Sequence, residues 1–109
     1  MNKTLKFDAH LVPLILNGSK TSTWRLWDDK NLFEGDVVDL LGRPSLEKIA
    51  TAKLTKVIIK KFRDLTSEDK MGHESFSSDE EMYKTFADAY KQPVTLETEV
   101  KIIWFGILE

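Results

Sequence analysis

The chain contains no cysteine, which removes disulfides, thiol nucleophiles and thiolate zinc sites from consideration. Histidine is nearly as scarce: His10 and His73 are the only imidazoles, and neither stands in a metal-binding spacing. We expect no metal and no other cofactor. No apolar run approaches the ~20 residues needed to cross a bilayer, and the Met1-Asn2-Lys3-Thr4-Leu5-Lys6 start is not backed by a signal-peptide core. A cytoplasmic location without membrane contact is therefore expected. Neither sign of charge dominates, and a net charge of −2 argues against a generally adhesive nucleic-acid binder, whose affinity rests on concentrated Lys and Arg. Repeats, low-complexity tracts and linkers are also missing.

What remains suits one domain, residues 1–109: 109 residues with 41% hydrophobic content support a single core but not two. Charge is unevenly spread. From Arg43 to Arg63 the only acid is Glu47, whereas from Asp64 to Glu81 the only base is Lys70. A basic side of the fold would give this pattern, and so would a solvated strand followed by an acidic helix start.

The most chemical stretch is Gly18-Ser19-Lys20-Thr21-Ser22-Thr23-Trp24-Arg25, which follows the apolar run Leu11 to Leu16 and a helix stop at Asn17-Gly18. In an extended chain Thr21, Thr23 and Arg25 share one face and Lys20, Ser22 and Trp24 the other, with Lys20 at the turn able to swing either way. A hydroxyl, an amine and a guanidinium in proximity suit acyl transfer. The amine takes the hydroxyl proton, and the guanidinium holds a carbonyl or anionic oxygen. Burial and a neighbouring cation both push a lysine pKa down, the direction a base requires. An ordinary solvent-facing strand with two exposed cations fits the same spacing. Trp24 and Trp27 flank Arg25; either ring can stack on a nucleobase, although a tryptophan in a small barrel more often belongs to the core.

Along the chain, Leu5 to Phe7 reads as a first strand. A short apolar helix starts near Leu11 or Val12, with Pro13 in its first turn, and plugs one end of the fold. His10 before it reads as a surface or capping residue, with substrate contact the lesser alternative. A second strand covers Thr21 to Leu26, and Val37 to Leu41 is the third. Asp36, at the start of the third, either pairs with Arg25 or caps the turn. Lys48 to Phe62 is the longest segment, and its apolar face switches around Thr55-Val57, as a bulge would cause. Ser67 to Lys70 is a helical turn. Ser78-Asp79-Glu80-Glu81 is a capping box, behind which Met82, Phe86 and Ala89 form a core-facing stripe up to Gln92-Pro93. Thr98 to Leu108 is the last strand and is expected at the centre of the sheet.

Gly18-x-Lys20-Thr21-x-Thr23-x-Arg25, preceded by Leu14-Ile15-Leu16 and followed by Leu32-Phe33-Glu34-Gly35-Asp36-Val37-Val38, resembles the signature of the ASCH domain, a relative of the PUA RNA-binding barrels. The resemblance runs from about Asp8 to the last strand. It implies an α+β fold: a PUA-like small mixed β-barrel of about five to six strands with two or three short helices. One branch of ASCH proteins consists of N(4)-acetylcytidine amidohydrolases. By resemblance to that branch, Lys20 is the proton acceptor, Thr23 the nucleophile and Glu74 the proton donor, with Glu68 a weaker substitute for Glu74. Arg25, Trp24, Trp27 and Thr21 are the substrate-binding candidates. Trp24 departs from the branch, which usually carries a smaller aliphatic residue there. The implied partner is a small nucleoside substrate or RNA, and a monomer is expected. Two functions compete: an amidohydrolase on acetylated cytidine or a related nucleoside, and a non-catalytic RNA-binding module. A nucleoside-sized pocket around the three catalytic candidates favours the first, an open basic groove the second.

Overall fold

The structure is a computed structural model and describes residues 3–27, 31–70, 76 and 78–108. Strand β1 (Lys3–Phe7) leads through a 3-10 turn (Ala9–Leu11) into helix α1 (Val12–Leu16) and strand β2 (Ser22–Arg25). Strands β3 (Val37–Gly42) and β4 (Glu47–Lys61) follow, then a 3-10 turn (Phe62–Asp64), helices α2 (Ser67–Lys70) and α3 (Asp79–Tyr90), and strand β5 (Glu99–Leu108). The strands form one sheet in the order β1-β3-β4-β5-β2, curled into a half-barrel. β1 runs parallel to β3, and every other pairing is antiparallel. This is the expected α+β architecture, with five strands and three helices.

Strand β4 shows how sequence sets the curl. Its pairing with β5 slips between Leu54, opposite Phe105, and Lys56, opposite Trp104, so Thr55 is the extra residue of a bulge. Before the bulge Ala52 and Leu54 point into the sheet's inner cluster; after it Val57 does so, while Ile58 joins the outer cluster. The face switch expected around Thr55-Val57 is this phase change.

Two hydrophobic clusters result. The inner one is mostly aliphatic and includes Leu5, Phe7, Leu40, Leu54 and Ile103. The outer one lies between β2, β5 and α3 and is rich in rings, with Trp24, Phe62, Phe86 and Ile102 at its centre. Each buried side chain of this size contributes about 1.5–3 kcal/mol relative to exposure.

The helices follow their signals. Ser78 caps α3 by accepting the Glu81 N–H at 3.1 Å, and Met82 and Phe86 are buried beneath it. The expected stripe breaks at Ala89, which is exposed. Lys91 ends the helix in the left-handed conformation (φ 56°), just ahead of Pro93. In α1 only Ile15 is fully buried, and Leu16 is 57% exposed, so the plug is a single side chain rather than the whole helix. Asp36 does not pair with Arg25. It accepts the Phe33 N–H at 2.9 Å and bonds Lys3 at 2.9 Å, and the Lys3 bond followed by that N–H holds its carboxyl below the ordinary range.

Candidate active site

The sheet order leaves β1 and β2 at opposite ends, and the curl brings these ends toward one another. The Arg25 guanidinium spans the gap. Its Nη2 donates to the Lys6 carbonyl at 2.8 Å, and its Cζ lies 5.1 Å from the Phe7 ring centroid. Along this seam opens a cleft of about 710 Å³, walled by the two strands, the turn after β1 and helix α3.

Lys20 reaches the cleft because of how α1 ends. Asn17 closes the helix and Gly18 takes the left-handed backbone (φ 84°), a conformation that suits glycine. The reversed chain then ties the Lys20 N–H to the Leu14 carbonyl at 3.0 Å. This folds the lysine back against the helix it has just left. The side chain lines the cleft, and the residue is only 2% exposed.

Strand β2 then sorts its residues by face. Thr23, opposite Ile103 of the inner cluster, lines the cleft and is 5% exposed. Trp24, opposite Ile102, belongs to the outer cluster, with its ring stacked on Phe86 at 5.9 Å and 13° and edge-on to Phe62 at 6.2 Å. Trp24 also reaches one wall of the cleft, so it acts as a core ring with one margin in the site. Trp27 is half-exposed at the rim, packed edge-on against Tyr90 at 5.7 Å. The Tyr90 hydroxyl accepts the Leu26 N–H at 3.1 Å and fastens the end of β2 to α3.

The cleft thus gathers Lys20, Thr23, Arg25, Trp24 and Trp27. Thr21 is not among its lining residues: it is exposed just before β2, with its carbonyl accepting the Phe105 N–H at 3.0 Å. Glu74 lies outside the described residues. Its substitute Glu68 sits on α2 and is not among the residues that line the cleft. Sequence reasoning missed the contribution of α3, where Thr85, Phe86, Ala89 and Tyr90 form a wall. Only the position of Ala89 at the end of the apolar stripe hinted at it, since a small residue there leaves space. It also assigned His10 to the surface; His10 is exposed but stands at the cleft. Among the described residues no group of acids and histidines could hold a metal ion.

No family model and no curated protein matches the sequence. Among solved structures the chain is similar to a DUF984 family-model protein from Enterococcus faecalis V583, with a TM-score of 0.81 and 16% identity over 99% of this chain and 80% of that one. It is also similar to the ASCH domain from Lactobacillus crispatus JV V101, with a TM-score of 0.71 and 13% identity over 96% of this chain and 78% of that one. The ASCH protein of Zymomonas mobilis superposes with a TM-score of 0.65 and 12% identity, over 94% and 65% of the two chains. At these identities the likeness shows the fold alone: this chain has the α+β fold of these ASCH-domain structures.

Proposed function

We propose that the chain is an amidohydrolase that removes the acetyl group from N(4)-acetylcytidine or a related modified nucleoside. The observation that carries this reading is the presence of a buried amine, Lys20, and a buried hydroxyl, Thr23, in one cleft with aromatic walls. Its volume of about 710 Å³ suits a nucleoside-sized ligand. Burying a lysine amine and a threonine hydroxyl carries a desolvation cost, which favours a use for both groups in the cleft they line.

In the proposed cycle the Thr23 oxygen attacks the acetyl carbonyl as Lys20 removes its proton. The tetrahedral intermediate collapses by breaking the bond from carbonyl carbon to N4, and a carboxylic acid, assigned to Glu74, protonates the departing amine. Cytidine leaves, and the acetyl group stays on Thr23 as an ester. Water then attacks that ester and passes a proton to the Glu74 carboxylate, restoring the acid; Lys20 returns to the Thr23 oxygen the proton it took, and acetic acid departs and ionises to acetate. Arg25 contributes by holding β1 and β2 at the spacing the substrate needs, since its Nη2 is bonded to the Lys6 carbonyl.

The competing reading is an RNA-binding module that uses the cations between Arg43 and Arg63. Four of these are taken up locally: Lys48 faces Asp39 at 3.3 Å, Lys60 faces Asp69 at 2.7 Å, Lys61 faces Glu97 at 3.0 Å, and Arg63 also pairs with Glu97. That weakens the case for an open basic groove. Ultraviolet-detected chromatography of N(4)-acetylcytidine tests the hydrolase directly. Wild-type protein is expected to release cytidine and acetate, and Thr23→Ala is not. An unchanged rate in Thr23→Ala removes it from the mechanism, and no conversion by the wild type overturns the reading for this substrate.

A further inference from the structure

The charge of the cleft does not match a neutral nucleoside. Lys6, Lys20, Arg25 and Arg43 line it together with His10, and among the described lining residues the only carboxylate is Asp8. This is an excess of three positive charges if Lys20 is charged, and of two with Lys20 as the neutral base of the proposed cycle, in a chain whose net charge is −2.

The inner two cations have work already. Lys20 is the base of the proposed cycle, and Arg25 joins β1 to β2 through the Lys6 carbonyl. Arg43 is different, because its position is fixed by backbone rather than by its charge. Its N–H donates to the Phe7 carbonyl at 2.8 Å, which seats the residue beside the end of β1, and its guanidinium stands 3.7 Å from the Asp8 carboxylate. Both side chains are more than half exposed, and 3.7 Å is beyond hydrogen-bond range, so the pair is loose and weak. A guanidinium fork so placed is suited to a bidentate anion, with the half-buried Lys6 and the exposed His10 also lining the cleft.

We propose that the substrate carries a phosphate monoester, making it an acetylated cytidine nucleotide rather than a nucleoside, with the phosphate held by Arg43, Lys6 and His10. This rests on the reading of the cleft as a nucleoside site. The cleft is roomy enough for base, sugar and phosphate together. The same positive field draws a phosphorylated ligand in and leaves a neutral one unassisted.

Binding separates this inference from the hydrolysis itself. Calorimetry compares cytidine with cytidine 5′-monophosphate on the full chain at low salt. The monophosphate is expected to bind about tenfold tighter, with the advantage shrinking as salt rises. In Arg43→Gln the two affinities are expected to converge to within about twofold, whereas Asp8→Asn, which removes the competing carboxylate, widens the gap. Equal affinities in the wild type, or an advantage undiminished in a folded Arg43→Gln, overturn the proposal. A short cytidine-containing RNA without terminal phosphates that binds tighter than the monophosphate would make the phosphodiester chain the ligand and displace the mononucleotide. A preserved monophosphate preference in a protein that converts neither N(4)-acetylcytidine nor its 5′-monophosphate retains the phosphate site and removes only the hydrolase assignment.

Discussion

Among the described residues, buried polar side chains occur in two parts of this molecule and are used in different ways. Near the cleft they are consecutive or nearly so, with Lys20, Ser22 and Thr23 in one short stretch between α1 and the middle of β2. Far from the cleft there is Asp69 on α2, also buried, and its carboxylate is surrounded by donors. Lys60 bonds it at 2.7 Å and the Thr66 N–H at 2.9 Å, while its own N–H donates to the Thr66 hydroxyl at 3.2 Å. Asp69 is a structural staple that closes the connection from β4 to the helices. In the first group Lys20 and Thr23 also line open volume, whereas Ser22 does not. What separates a staple from a site is therefore not burial but whether the buried group faces protein or a cavity.

The contrast breaks most sharply at β2, where neighbouring residues take different roles. Thr23→Ala is expected to lower turnover of N(4)-acetylcytidine by roughly 10³-fold or more, while chemical denaturation shows a loss of stability under about 1 kcal/mol. An equally large loss of stability would place Thr23 among the staples. Trp24→Ala should do the reverse to first order, costing about 3–5 kcal/mol of stability because the stack on Phe86 and the edge contact with Phe62 are lost together. Trp24→Phe should retain most of that stability, read from the same denaturation curves.

Asp69 sharpens the comparison from the other side. Burial pushes its carboxyl up, but the Lys60 bond and the Thr66 bonds outweigh this and hold it below the usual value. A carboxyl depressed in the folded state stabilises the fold above its unfolded pKa, and that stability is lost as pH falls through the folded value. Wild-type stability should therefore drop below about pH 4 more steeply than that of Asp69→Asn. At pH 7 the variant should be less stable by about 1–3 kcal/mol, with turnover per folded molecule unchanged. The smallest effect belongs to Trp27, half-exposed at the cleft rim. Trp27→Ala should leave the unfolding midpoint nearly in place and weaken cytidine binding by about 1 kcal/mol or somewhat more.

The features of the fold legible in the sequence were those encoded by local rules. Ser78 and Glu81 announce the start of α3, Asn17-Gly18 the end of α1, and the change of apolar face near Thr55 the bulge in β4. The site was partly legible because Lys20, Thr23 and Arg25 lie within one turn and one strand, so alternation alone places Thr23 and Arg25 together. Tertiary choices were not legible. Arg25 had a carboxylate at Asp36 as an apparent partner, yet it bonds a backbone carbonyl on β1, and Asp36 bonds Lys3 instead. Both outcomes depend on which strands become the ends of the sheet, and no pattern within a single segment carries that information. The wall supplied by Thr85, Ala89 and Tyr90 was hidden for a related reason: periodicity gives the buried face of a helix but not what its flank overlooks.

The unclosed seam has a consequence for the molecule among its own copies. An open sheet presents two rows of unpaired backbone groups to any passing strand, and such edges are where chains add to one another and aggregate. Here β1 and β2 are those edges, and both border the same cleft, bridged by one guanidinium. The same incomplete closure that opens the cleft also turns the two sheet margins toward each other, so that they face the cleft rather than a neighbouring copy.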